Sequence, residues 1–228
     1  MAFAKGFLRF AGVTGLCVAS FGAGVSVFGR AWPVLNEKDK QLANERSLQS
    51  LDVIKSSNMY KQLAADKSFE LLSGSQLIPE AHRQYHVGQG LLNSPNHMTT
   101  DPIIFLNRDE GKMYCIAHLG AQTVGTDRKI HNGIISTIMD EGLCMCGFSK
   151  LPSKRGVTAQ LKLDFLQKAP PDTTVVLKAQ VQEFRGRKCI ITGTVETLER
   201  RPTKVADGYC VLVEPVWFKY LNWVPVFA

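Results

Sequence analysis

The residues best suited to chemistry lie in one stretch, Ile130-His131-Asn132-Gly133-Ile134-Ile135-Ser136-Thr137-Ile138-Met139-Asp140-Glu141-Gly142-Leu143. Ile134, Ile135, Ile138, Met139, Gly142 and Leu143 recur at helical spacing and make one broad apolar stripe. Asp140 stands inside that stripe. An unpaired carboxylate is costly to bury, so Asp140 must be paired, protonated or open to a cleft. Asn132 and Gly133 stand at the start of the helix, where unpaired backbone N–H groups point outward and favour negative charge. Amides that polarise a carbonyl, with a carboxylate about two turns further on that directs water or attacks, are parts for acyl transfer. A plainer reading stands beside it, in which Asn132 only caps the helix and Asp140-Glu141 is its solvated edge.

The surrounding elements must hold this helix in place. The pattern predicts one helical segment from His131 to about Cys146. Before it, Ile103 to Leu106 and Met113 to Ala117 flank the turn signal Asp109-Glu110-Gly111 and read as a hairpin. After it come four strand-like runs: Val157 to Phe165, Thr174 to Phe184, Lys188 to Thr197 and Lys204 to Val213. One helix among many strands predicts an α+β domain with an antiparallel sheet. Asp207-Gly208 reads as a turn or bulge near the last strands. Residues 36 to 72 are charged and helix-forming and predict one or two loosely packed amphipathic helices; residues 80 to 101 read as loop. The expected organisation is a targeting segment or anchor over 1–30, a helical linker over 31–95 and the main domain over 96–228.

Composition narrows the function classes. At 228 residues the chain holds one domain plus an extension. The formal charge of +7 is scattered rather than gathered into a patch interleaved with aromatics, so no nucleic-acid partner is expected. Six cysteines without a CxxC pair read as reduced, mostly buried thiols and predict no metal site. His82, His86 and His97 carry no HExxH spacing and read as loop or surface residues. No acidic residue precedes Glu37, and residues 10–29 carry no charge between Arg9 and Arg30. Such a run fits a membrane anchor, a mitochondrial targeting segment, or both; a secretory signal would carry unpatterned cysteines into an oxidising compartment. The expectation is a mitochondrial protein with membrane contact through residues 10–29.

The motifs also carry a family resemblance. His131-Asn132-Gly133 followed by Asp140-Glu141 resembles the His-Gly-Gly…Asp-Glu signature of hotdog-fold acyl-CoA thioesterases of the PaaI and THEM type. Further agreement follows in order at Cys146-Gly147-Phe148, Gly156 to Leu161, Gly186-Arg187-Lys188 and Ala206-Asp207-Gly208, with His118-Leu119-Gly120 upstream. The resemblance runs from about Asp101 to Phe218 and is closest to fungal mitochondrial members with an N-terminal anchor. It implies a long helix wrapped by a curved antiparallel sheet, a homodimer or dimer of dimers, and active sites at the dimer interface. It implies Asp140 as general base or nucleophile, Asn132 and Gly133 amides on the thioester carbonyl, and Thr158, from the partner subunit, positioning water or the carboxylate. His131 would support the loop before the helix. The sequence departs from the family at Asn132, which replaces a Gly, and at Gly125 to Lys129, which offers no amide side chain.

The resemblance implies hydrolysis of acyl-CoA to free acid and coenzyme A, and no cofactor or metal is expected. His131, Glu141, Arg187 and Lys188 are the candidate substrate-binding residues; the basic turn at Arg185, Arg187 and Lys188 would meet the phosphates of coenzyme A or simply be solvated. The alternatives are a non-catalytic hotdog module that binds acyl-CoA or serves as an anchored scaffold, and a hydratase, for which no His–acid pair stands out.

Overall fold

The computed structural model describes residues 12, 14–24 and 37–221, and the chain forms two units, Met1–Lys40 and Gln41–Ala228. In the first unit residues 14–24 are helical. Among the described residues no helix is long and apolar enough to cross a membrane. The expected span over residues 10–29 is therefore not supported, and residues 10, 11, 13 and 25–29 of it lie outside the described set. Residues 14–24 contain Gly15, Gly22 and Gly24, which lower both apolar content and helix propensity.

The second unit is built on a seven-stranded sheet, antiparallel throughout. Its strands are β1 (Glu70–Ser73), β2 (Ile103–Asn107), β3 (Lys112–Leu119), β4 (Val157–Phe165), β5 (Thr173–Arg185), β6 (Lys188–Thr197) and β7 (Lys204–Val213), in the spatial order β1-β2-β3-β5-β6-β7-β4. The sheet curves around one helix, which is the hotdog arrangement. Three helices matter for the argument: α1 (Glu37–Ser56), α2 (Asn58–Ala65) and the central α3 (Asn132–Phe148).

Both faces of β2 are covered, which explains its unbroken apolar run. Ile104 and Leu106 join Cys115, Leu177 and the α3 residues Ile135, Ile138, Met139 and Leu143 in the main core. Ile103 and Phe105 alternate with them onto the opposite face, where Ile116, Val176 and Ile54 of α1 form a second buried cluster. Leu51, Met59, Tyr60 and Leu63 pack onto it from α1 and α2. The segment expected as a loosely packed helical linker thus shields the outer face of β2 and its neighbouring strands at Ile103, Phe105, Ile116 and Val176. It also supplies β1, which pairs with β2 from Glu70↔Leu106 to Ser73↔Ile103.

Two glycines set how closely α3 lies on the sheet. A Cβ on Gly142 would stand 2.2 Å from Leu177 Cδ2, and one on Gly208 would stand 2.4 Å from Met139 Cε. Asp207-Gly208 is accordingly not a turn. It lies inside β7, where Gly208 pairs with Leu163 and Gly193, and the missing side chain makes room for the helix.

Candidate active site

The helix start is organised by His131. It takes extended angles (φ −69°, ψ 133°) as the N-cap of α3, and its Nδ1 accepts from Gly133 N at 2.9 Å. Its own N–H donates to Thr123 O at 2.9 Å, tying the preceding loop to the helix. Gly133, expected to offer its amide to a carbonyl, therefore spends that N–H on His131. The Asn132 N–H carries no hydrogen bond among the described residues. Of the two amides predicted to hold a thioester, Asn132's is the one left open.

Asp140 lies two turns further along, half-buried. Thr158 Oγ1 donates to its Oδ1 at 2.9 Å. This contact lies within one chain, which corrects the expectation that Thr158 would reach Asp140 from a partner subunit. The cause is the short return from the end of α3 to β4, which lays the first residues of β4 along the helix. A register shift between Thr158 and Gln160 falls directly after the threonine, and such a bulge re-aims the side chains beside it. β4 is the last strand of the sheet and is exposed along nearly its whole length.

A thiol not foreseen as part of the site completes the cluster. Cys144 Sγ lies 3.1 Å from Thr158 Oγ1 and 3.9 Å from Asp140 Oδ1. Its pKa is drawn below the ordinary thiol value, first by a hydrogen bond with Cys210, whose own thiol that contact and burial push up. The signal was present as the i, i+4 spacing from Asp140, which puts both on one helix face. Cys115 and Cys146, by contrast, are both pushed up to about 12 by burial.

Glu141 faces another neighbourhood. Its Oε1 accepts from Gly88 N at 3.3 Å and lies 3.7 Å from His86 Nδ1. Burial pushes its carboxyl above the usual range; His86 and the Gly88 N–H pull it back, and the charge of Asp140 adds to the rise. Beside it is a cavity of about 40 Å³ lined by Ile78, Leu92, Met98, Ile104, Ile138 and Met145 among others. His86, read from sequence as an ordinary loop residue, is thus the partner of a half-buried carboxylate; nothing in its spacing signals this.

The basic turn has a mixed outcome. Arg187 Nη1 donates to Glu214 O at 2.9 Å, so its guanidinium is engaged with backbone. Lys188 is exposed. The register Lys188↔Val213↔Val157 brings the turn to the Thr158 end of the sheet, two strands away. That is about 10 Å. His118, from the upstream motif, is a cross-strand staple, with Nδ1 3.0 Å from Thr174 Oγ1 and Nε2 3.2 Å from Asp172 Oδ1.

Comparison with known proteins agrees with this geometry. A Thioesterase superfamily family model matches residues 129–204, the span from the helix start into β7. An uncharacterized mitochondrial protein of Candida albicans is 44% identical over 213 residues, covering 91% of this chain and 94% of its own. MIOREX complex component 3 of Saccharomyces cerevisiae is 39% identical over 253 residues, covering 93% and 94%. Acyl-coenzyme A thioesterase THEM4 of Rattus norvegicus is 30% identical over 100 residues, covering 43% of this chain and 41% of its own. The chain belongs to one family with these fungal relatives, and its residues 129–204 match the Thioesterase superfamily.

Proposed function

We propose that the protein hydrolyses acyl-CoA thioesters to the free acid and coenzyme A, at a site completed by a second copy of the chain. The observation that carries this reading is the Asp140–Thr158 hydrogen bond of 2.9 Å. It fixes one carboxylate oxygen and leaves Oδ2 without a hydrogen bond among the described residues. Oδ2 takes a proton from water as the water oxygen attacks the thioester carbon. An amide N–H holds the oxygen that becomes negative. Collapse expels the sulfur, which receives the proton back from Asp140. The acid and the free thiol account for every atom of acyl-CoA and water.

Two observations favour a second copy. Asn132 and Asp140 are eight residues apart on one helix, a rise of about 12 Å. An amide about 3 Å from the carbonyl oxygen and a water about 3 Å from its carbon need a shorter separation. Among the described residues the outer edge of β4 also has no strand beside it, with Val157 46% and Phe165 42% exposed. An open edge of this kind is a template for pairing with another strand. A two-fold related copy paired there turns the Asn132 end of its own helix toward Asp140 of the first. The Lys188 turn, at the same end of the sheet, is positioned to meet the anionic end of coenzyme A.

Asn132→Pro and Asp140→Asn test the arrangement together. Proline suits the first helical position and removes the N–H in question, along with the asparagine carboxamide, and the extended His131 is compatible with a following proline. Each variant alone should lose hydrolysis of acyl-CoA. Refolding the two together should restore about a quarter of wild-type activity, from the one intact site of each mixed dimer. Mixtures that stay inactive, with mixed dimers demonstrated, would rule out a shared site.

A second reading has its own support: with the Gly133 N–H held by His131 at 2.9 Å, the carbonyl has a single open amide. On that reading the protein binds acyl-CoA without turnover, and calorimetric binding with no released thiol across chain lengths would establish it. The mitochondrial label of the Candida albicans relative and the acid-free first 36 residues support mitochondrial targeting. Imaging residues 1–36 fused to a fluorescent protein tests that directly.

A further inference from the structure

We propose that Cys144 is a positioning residue for the Asp140–Thr158 pair: its S–H donates to Thr158 Oγ1, so that the single hydroxyl proton of Thr158 is directed at Asp140. The inference rests on the reading of Asp140 as the base. It starts from proton counting. A threonine hydroxyl has one proton and two lone pairs. An ionised carboxylate only accepts, so the 2.9 Å contact to Asp140 Oδ1 uses the threonine's proton. Thr158 Oγ1 can then only accept across its 3.1 Å contact with Cys144 Sγ, and the thiol must be the donor. The alternative target of the thiol, Asp140 Oδ1 at 3.9 Å, is much the longer contact.

The need for such an anchor comes from where Thr158 sits. It is exposed and lies on the open edge strand, where its hydroxyl is free to turn toward water. Cys144 is 9% exposed on the rigid face of α3, one turn past Asp140. It therefore supplies a fixed donor from behind, while solvent supplies only mobile ones. A cysteine kept for packing alone would be replaceable by an apolar side chain of similar volume. A cysteine kept for its proton would be replaceable by serine, despite the smaller atom.

The two substitutions separate these roles in the full-length protein. Cys144→Val should lower kcat about ten-fold, with KM within about two-fold and an unchanged melting temperature. Cys144→Ser should keep more than about a third of wild-type kcat. Wild-type kcat in Cys144→Val, or a larger loss in Cys144→Ser than in Cys144→Val, overturns the proposal. Asp140→Asn run alongside tells the two failures apart. If Asp140→Asn is inactive and Cys144→Val is not impaired, only the role of Cys144 falls; if Asp140→Asn is fully active, both fall. An infrared measurement decides the hydrogen bond without turnover. The S–H stretching band that disappears in Cys144→Val should move to higher frequency in Thr158→Val, which removes the acceptor; a band that stays in place overturns the proposal.

Discussion

Asp140 and Glu141 are adjacent in sequence, yet one helical step of rotation gives them opposite surroundings. Asp140 turns toward an open strand and meets side-chain hydroxyl and thiol groups, with one oxygen left over. Glu141 turns toward the segment before the sheet, where it meets a backbone amide, an imidazole and an apolar cavity. The first carboxylate faces the edge where a second chain would join. The second makes both of its contacts through Oε1 and inside the chain, linking α3 to residues 86–88. On the proposed reading, position at an open edge sets the reactive carboxylate apart from the one that burial and the contacts to residues 86–88 tie into the chain.

The sharpest way to break this contrast is to neutralise each carboxylate in turn. Asp140→Asn should lower kcat by about a hundred-fold or more with no change in thermal midpoint, whereas Glu141→Gln should keep kcat within about three-fold. Equal losses in a thioester hydrolysis assay would erase the distinction. Gly142→Ala tests the support that both groups share. Its Cβ would meet Leu177 Cδ2 at 2.2 Å, inside a core where Leu177 is wholly buried, so denaturant unfolding should show about 1–3 kcal/mol of destabilisation. The smallest effect concerns pH. Burial raises the folded carboxyl of Glu141 above the ordinary glutamate range, so the stability it contributes is full below that range and is lost as pH rises through the folded value. Glutamine cannot ionise and keeps an oxygen for Gly88. The melting temperature of Glu141→Gln relative to wild type should therefore climb between about pH 4 and pH 7. A flat or falling difference would mean that attraction to His86 outweighs burial.

Much of the sheet was legible because its signals are local. The runs at 157–165, 188–197 and 204–213 coincide with β4, β6 and β7, since turn signals and β-branched residues bound each one. The central helix was legible from its stripe, and Asp140 from being misplaced within it. What stayed hidden depends on contacts distant in sequence. β1 is four residues long and owes its extended form to pairing with β2, a tertiary effect that a helix-forming neighbourhood conceals. Cys144 reads from sequence as one more buried thiol, because one of its partners, Thr158 on β4, lies fourteen residues away. The intrachain Asp140–Thr158 contact follows from the path of the chain after the helix, which no residue spacing records. Gly208 looked like a turn because its reason, the approach of Met139, comes from the layer above.

The cover laid by α1 and α2 over the outer face bears on any attempt to trim the protein. A shortened version that begins at residue 96 would look complete by its motifs, yet it would bare Ile103, Phe105, Ile116 and Val176 to solvent. It would also free β2, buried along all five residues, as a new sticky margin. Such a fragment should clump on warming before its chemistry is lost, and poor behaviour in solution would then say nothing about the reaction itself.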